Sequence, residues 1–130
     1  MTGIDTNILV RIFIEDDPEQ FRKVKEFLQT LSPVSPGYVS LIALIELVWV
    51  LRNRYLLNKI QLIQCMEQLF EYQELVIEDR VAVASALNHF SQFKADFADC
   101  LIEQLGHAAG CSETVTFDAN AVKLAGMRLL

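Results

Sequence analysis

Residues 2–13, TGIDTNILVRIF, decide the fold class of this chain of 130 residues. Residues 2–4 are typical of a short strand that ends at Asp5, and residues 6–13 are typical of a short helix. A strand that passes directly into a helix is the first half of a βαβ unit, which pairs its strands in parallel. This stretch therefore predicts an α/β fold, and the rest of the chain repeats the same alternation.

The later elements are bounded by helix caps and turn residues. Long helices are predicted from the caps Asp17 (to residue 31), Ser40 (to about Tyr55), Asn58 (to about Gln73), Asp79 (to about Phe93) and Asp96 (to about Ala109). Further strands are predicted at Tyr38–Val39 and Leu75–Glu78, as a buried strand at Thr114–Phe117, and as a last fragment at Met127–Leu130, which a short helix precedes. With no long linker and no internal repeat, residues 1–130 are expected to form a single domain.

Composition excludes several classes of protein. Apolar residues make up 52% of the chain, yet the longest apolar run, Val39–Leu51, is interrupted by Glu46 and is too short to span a bilayer. No signal-peptide pattern is visible, so we expect a cytoplasmic protein. The three cysteines have no zinc-ligand spacing and are expected to be buried reduced thiols. His89 and His107 are isolated on predicted helices and are expected to be structural.

Glu46 is the most informative acid, because its helical neighbours Ile42, Ala43, Trp49 and Val50 are all apolar. A carboxylate buried among such side chains is costly unless it is paired or binds a cation. The structural alternative is a glutamate at the solvent edge of the helix, or one paired with a distant arginine.

Four aspartates have simpler structural explanations. Asp5 and Asp118 end predicted strands, where ligands of parallel sheets bind, but each is also a possible helix cap. Asp96 and Asp99 lie three residues apart and share one helix face; capping explains Asp96 better than it explains Asp99.

Together these acids predict a cation site. Carboxylate oxygens suit Mg²⁺ or Mn²⁺, and such ions promote in-line displacement at phosphate. The net charge of −6 argues against a broad basic surface for nucleic acid, and bound divalent cations would answer that objection.

Four segments resemble motifs of the PIN-domain family, in particular its VapC-type toxin ribonucleases. They are residues 4–11 (IDTNILVR), 45–51 (IELVWVL), 95–102 (ADFADCLI) and 116–118 (TFD). Their order, spacing and intervening elements match the family along nearly the whole chain.

The resemblance implies a PIN-like (Rossmann-like) three-layer α/β/α fold with a short, mainly parallel central sheet. It implies an Mg²⁺- or Mn²⁺-dependent endoribonuclease, a homodimer, and a cognate VapB-type antitoxin. The family's acids fall on Asp5, Glu46, Asp99 and Asp118, with Asp96 as an additional acid and with support from Thr6, Asn7 and Thr116. Related chains often carry a basic residue after the last acid, where this chain has Ala119.

The candidates for contacting substrate phosphate are Arg11 and Lys94, followed by Arg52 and Lys123.

Two other function classes stay open. One is a metal-dependent phosphatase or phosphoacceptor domain, although the haloacid-dehalogenase pattern wants an aspartate where Asn7 stands. The other is a non-catalytic interaction module, in which the acids are caps and surface charges. One apolar stripe of the predicted helix that begins after Ser40 would be core, or would serve a dimer or antitoxin contact. It consists of Leu44, Leu47, Val48, Leu51 and Tyr55.

Overall fold

The structure is a computed structural model that describes every residue from Met1 to Leu130, and it divides into two compact units, Met1–Glu78 and Asp79–Leu130. The first unit contains three strands and four helices. In chain order these are β1 (Thr2–Gly3), α1 (Thr6–Phe13), α2 (Pro18–Thr30), β2 (Gly37–Val39), α3 (Leu41–Asn53), α4 (Lys59–Glu71) and β3 (Leu75–Ile77).

The three strands form one parallel sheet in the order β1-β2-β3. Thr2 pairs with Gly37, and Gly37 in turn pairs with Leu75. Because the strands are parallel, their carboxyl ends lie along one edge of the sheet. The residues that leave this edge are Asp5 after β1, Ser40 after β2 and Glu78 after β3, so the predicted α/β architecture is confirmed for this unit.

Helix α3 buries one stripe and exposes the opposite one. Leu44, Leu47 and Leu51 are at most 1% exposed, which confirms a core role for most of the predicted stripe, whereas Ile42 is 75% and Trp49 61% exposed. The helix stops at Asn53, two residues before the predicted end, because Leu56 adopts a left-handed conformation with φ of 55°. The Leu57 amide then donates to the Leu51 carbonyl at 3.0 Å and closes the helix end.

The second unit contains three helices and a small sheet. They are α5 (Arg80–Gln92), α6 (Phe97–Ala108), β4 (Val115–Thr116), α7 (Ala119–Ala125) and β5 (Arg128–Leu129), with β4 and β5 paired in parallel. Helix α5 packs on α6, where the rings of Phe90 and Phe97 meet edge to face at 5.7 Å. His89 donates from Nε2 to the carbonyl of Leu124 at 2.9 Å, which ties α5 to α7. This contact agrees with the structural role that we expected for His89.

Three expectations about local structure were wrong. Asp79 does not cap α5 with its side chain, because its φ of 46° and ψ of 48° depart from the extended conformation of an N-cap residue. The segment at Thr114–Phe117 is not a buried strand: only Val115–Thr116 is extended, and Phe117 is 81% exposed. Of the three free cysteines, only Cys100 is buried, whereas Cys65 is half-buried and Cys111 is exposed.

No helix combines the length and the apolar character needed to cross a membrane.

Gly37 provides a stability test of the sheet, because a Cβ atom there would lie 2.5 Å from Cδ1 of Ile4 and 3.0 Å from a methyl of Leu75. We expect Gly37→Ala to lower the free energy of unfolding by about 1–3 kcal/mol through overpacking. Urea denaturation followed by circular dichroism measures the change. Gly3→Ala is the matched control, since a Cβ at Gly3 would meet nothing within 4 Å. Equal stability of the two variants would contradict this account of the sheet.

Candidate functional site

Asp5 joins strand β1 to helix α1 and caps that helix. Its Oδ1 accepts the Thr6 amide at 2.8 Å, and its carbonyl accepts the amides of Ile8 and Leu9. The side chain is exposed at the carboxyl edge of the sheet, and the Oδ2 atom is not used by the cap. The cap therefore fixes the orientation of the carboxylate and leaves one oxygen for another ligand.

Glu46 lies beside Asp5 through a hydrogen bond from Thr6. The Thr6 hydroxyl donates to Oε2 of Glu46 at 2.7 Å, and the Thr6 residue is only 8% exposed. From the sequence we favoured a carboxylate among apolar neighbours over a glutamate at the solvent edge of the helix, and the structure shows the second. Glu46 is exposed, because Ile42 and Trp49 on the same stripe of α3 are themselves exposed. The Thr6 hydroxyl thus orients the Glu46 carboxylate.

A third carboxylate, Glu78, follows strand β3 at the same edge of the sheet. Its Oε2 accepts the Leu41 amide at 2.8 Å, so it caps α3 together with Ser40, whose hydroxyl accepts the Ala43 amide at 3.2 Å. Sequence reasoning assigned no role to Glu78. Its position at the end of a predicted strand was the available signal, because parallel strands collect their end residues at one edge.

In the second unit, two aspartates are helix caps. Asp96 accepts the Ala98 amide and Asp118 accepts the Asn120 amide, each at 2.8 Å. The Asp118 amide donates to the Thr116 hydroxyl at 3.0 Å. The structural roles considered for Asp96 and Asp118 are thus real, and each cap uses only Oδ1 of the carboxylate.

Asp99 lies in the first turn of α6 and is the most perturbed of these acids. Its partial burial, followed by repulsion from Asp96 and Asp118, raises the pKa of the Asp99 carboxyl above the ordinary value of 3.8. The second unit therefore gathers three carboxylates closely enough to repel one another. A divalent cation would relieve that repulsion.

The candidate ligands are of the chemical type that a hard cation prefers, but their positions do not form a complete cation site. Every candidate ligand is a carboxylate oxygen, which Mg²⁺ and Mn²⁺ prefer. Within neither unit, however, do three carboxylate, imidazole or thiol groups converge closely enough to hold a metal ion.

The candidate phosphate contacts differ in their surroundings. Arg11 pairs with Asp16 at 3.2 Å and donates to Gln20 at 3.1 Å and to the Tyr55 hydroxyl at 3.4 Å. Tyr55 donates to Asp16 in turn, and this hydrogen bond, with the nearby Arg11 charge, lowers the pKa of Asp16. Arg11 is therefore part of a structural cluster. The other three candidates for contacting phosphate, Lys94, Arg52 and Lys123, have exposed side chains. Asn7, which the family resemblance names as a supporting residue, is also exposed.

The Thr6–Glu46 hydrogen bond has a direct test. We expect Thr6→Val to lower the free energy of unfolding by about 1 kcal/mol, since a buried donor to an exposed carboxylate is lost. Thr6→Ser keeps the hydroxyl and should stay closer to the wild type. Urea denaturation of both variants measures the difference. A Thr6→Val protein as stable as Thr6→Ser would mean that the hydrogen bond contributes nothing.

The electrostatics of Asp99 predict a pH dependence. A raised pKa means that the folded protein holds this proton more tightly than the unfolded chain does. The stability contributed by Asp99 is therefore complete below the ordinary pKa of 3.8 and is lost as pH rises through the raised value. We expect Asp99→Asn to be more stable than wild type at about pH 7, by at most about 1 kcal/mol because the group is partly exposed, and to match it near pH 3.

Urea denaturation without divalent ions at both pH values measures this difference. Glu67→Gln, which removes an exposed acid of α4, is the control for the loss of a charge. The assignment fails if the difference between Asp99→Asn and wild type is independent of pH.

Comparison with known proteins identifies the family. The PIN domain matches residues 4–127, which include all five candidate acids and span both compact units. No curated protein matches the sequence. PIN domains are generally metal-dependent nucleases. The match covers nearly the whole chain, and it confirms the α/β, PIN-like fold expected from the four sequence motifs. The chain therefore belongs to the PIN domain family.

Proposed function

We propose that this protein is a metal-dependent endoribonuclease, the toxin of a VapBC-type pair. The observation that carries the proposal is the PIN match over residues 4–127, because it includes every acid that the family resemblance assigns to the active site. The match also crosses the boundary between the compact units, so we propose that residues 1–130 act as one domain.

The proposed ligands of Mg²⁺ or Mn²⁺ are the carboxylates that the family resemblance assigns to the site, namely Asp5, Glu46, Asp99 and Asp118, with Asp96 as an accessory acid. A bound divalent cation would supply Lewis acidity to the attacking water and to the leaving oxygen of the phosphodiester. The protein's own contribution is orientation: helix amides hold Asp5 and Asp118 through Oδ1, and Thr6 holds Glu46. Repulsion around Asp99 supports cation binding, because an ion would remove an electrostatic cost already present.

Glu46 is the proposed carboxylate that helps to deprotonate the attacking water. It is exposed, and the Thr6 hydroxyl engages Oε2, so Oε1 is left for a proton. We propose Lys94 as the first phosphate contact, since its side chain is exposed. Arg11 is a weaker candidate than its sequence position suggested, because binding RNA would require it to leave Asp16 and Tyr55.

The partners are proposed from the family resemblance. They are RNA as substrate, a VapB-type antitoxin and a second copy of the chain. Exposed apolar side chains outside α3, such as Val34 and Val81, offer apolar surface for protein contacts. The three free thiols fit the reducing conditions of the cytoplasm, the location that we propose.

The two competing functions make different predictions. A metal-dependent phosphatase would hydrolyse a generic phosphomonoester and leave RNA intact. An interaction module would bind no Mn²⁺ in calorimetry. The phosphatase would also use a metal but would act on a different substrate, whereas the interaction module would have no catalytic activity.

Cleavage of RNA tests the proposal. We expect Mg²⁺- or Mn²⁺-dependent cleavage of a structured RNA by the wild type, and a loss of about 100-fold or more in Asp5→Asn. Asparagine keeps an oxygen for the Thr6 amide, so the helix cap survives while the charge is lost. The readout is the initial cleavage rate as a function of metal concentration. Glu15→Gln, at an exposed acid outside the proposed site, should cleave like wild type. Equal rates for wild type and Asp5→Asn would refute the assignment.

A further inference from the structure

Trp49 is an exposed aromatic side chain one helical turn from the proposed catalytic carboxylate. It is 61% exposed on helix α3, and it lies three residues after Glu46. Residues at this spacing are neighbours on a helix surface, with Cβ atoms about 5–6 Å apart. The large ring of Trp49 and the carboxylate of Glu46 thus share one accessible stripe of the first unit.

The charge along this stripe suits a polyanion. Glu46 is the only acid in α3, Arg52 lies in the last turn of the helix, and Arg54 is its C-cap. Both arginine side chains are exposed. Arg52 lies three residues after Trp49 and is its neighbour on the helix surface, so a guanidinium accompanies the ring in a protein of net charge −6. Aromatic rings flanked by cations are the usual way in which proteins bind single-stranded nucleic acid.

A protein partner fits this stripe less well. A flat apolar surface covering both Ile42 and Trp49 would also cover Glu46, which lies between them in the helix. Burying that carboxylate is costly unless the partner also supplies a cation. A nucleobase needs only the face of the Trp49 ring, so it leaves Glu46 in solvent. The bases of a duplex are already stacked on one another, which favours an unpaired strand.

We propose that Trp49 is a substrate-positioning residue that stacks on a base of single-stranded RNA, with Arg52 contacting an adjoining phosphate. This inference rests on the proposed ribonuclease function and deepens it, because it assigns a residue that positions the substrate. Stacking on Trp49 holds the neighbouring phosphodiester near Glu46.

The chain contains a single tryptophan, so its fluorescence reports on this one position. The experiment is a titration of the full-length protein with an unstructured 12-nucleotide RNA in EDTA, where no cleavage occurs. We expect saturable quenching of the Trp49 emission. An abasic strand of the same length is the matched ligand control: it carries the same phosphates without bases, and it should quench little.

Variants of Trp49 and Ile42 test whether RNA binding depends on stacking on an aromatic ring or only on exposed apolar surface. Binding of the 12-nucleotide RNA, measured by fluorescence anisotropy of a labelled strand, should weaken about 5- to 150-fold in Trp49→Ala. It should largely recover in Trp49→Phe, which restores an aromatic ring. Ile42→Ala removes an apolar side chain from the same stripe and should change binding by less than about twofold. Since both side chains are mostly exposed, urea denaturation should find the variants folded.

Failure of this inference can be told from failure of the proposed function. Quenching without any metal-dependent cleavage would support stacking and refute the nuclease. Cleavage with unchanged Trp49 emission, and with wild-type RNA binding by Trp49→Ala, would overturn stacking alone. Trp49 emission that depends on protein concentration without RNA, together with loss of a dimer in Trp49→Ala, would assign the stripe to a protein contact and also overturn the proposal.

Discussion

The first amides of each helix need hydrogen-bond acceptors, and this requirement places most of the candidate acids. Where a parallel strand passes into a helix within one or two residues, the residue just before the helix is its N-cap. In this chain Asp5 and Asp118 fill that position, and Ser40 does so with help from Glu78. A cap requires one oxygen, and a carboxylate has two. Within the first unit, the caps that complete α1 and α3 therefore also orient carboxylate oxygens at the carboxyl edge of the sheet.

The helices could be predicted from the sequence because their caps and apolar spacing are local signals. Asp17, Ser40, Asn58 and Asp96 all cap helices as expected, since a cap involves only residues within one turn. The environment of Glu46 could not be predicted in the same way. Apolar residues surround it in the sequence, but a helix can carry apolar side chains on an exposed stripe, and only the packing of α3 shows which stripe is covered.

Other errors have similar physical causes. Thr114–Phe117 has the composition of a buried strand, yet burial requires covering layers, and the composition of four residues carries no information about them. Asp79 looks like a cap in sequence, whereas its left-handed backbone is set by the turn from β3 into α5. The mutual repulsion around Asp99 combines a local pair, Asp96 and Asp99, with the distant Asp118. The order of the family motifs anticipated this grouping better than spacing alone.

Helix α1 is bonded to the α3 segment near both of its ends. Thr6 bonds to Glu46 at one end, and Arg11 bonds to Tyr55, just beyond α3, at the other. A helix of eight residues is only about 12 Å long, so these two hydrogen bonds lie a short distance apart on the same helix. Sliding of one helix along the other would break both bonds at once. The two bonds therefore oppose sliding of α1 along α3 and hold Asp5 and Glu46 at a fixed spacing.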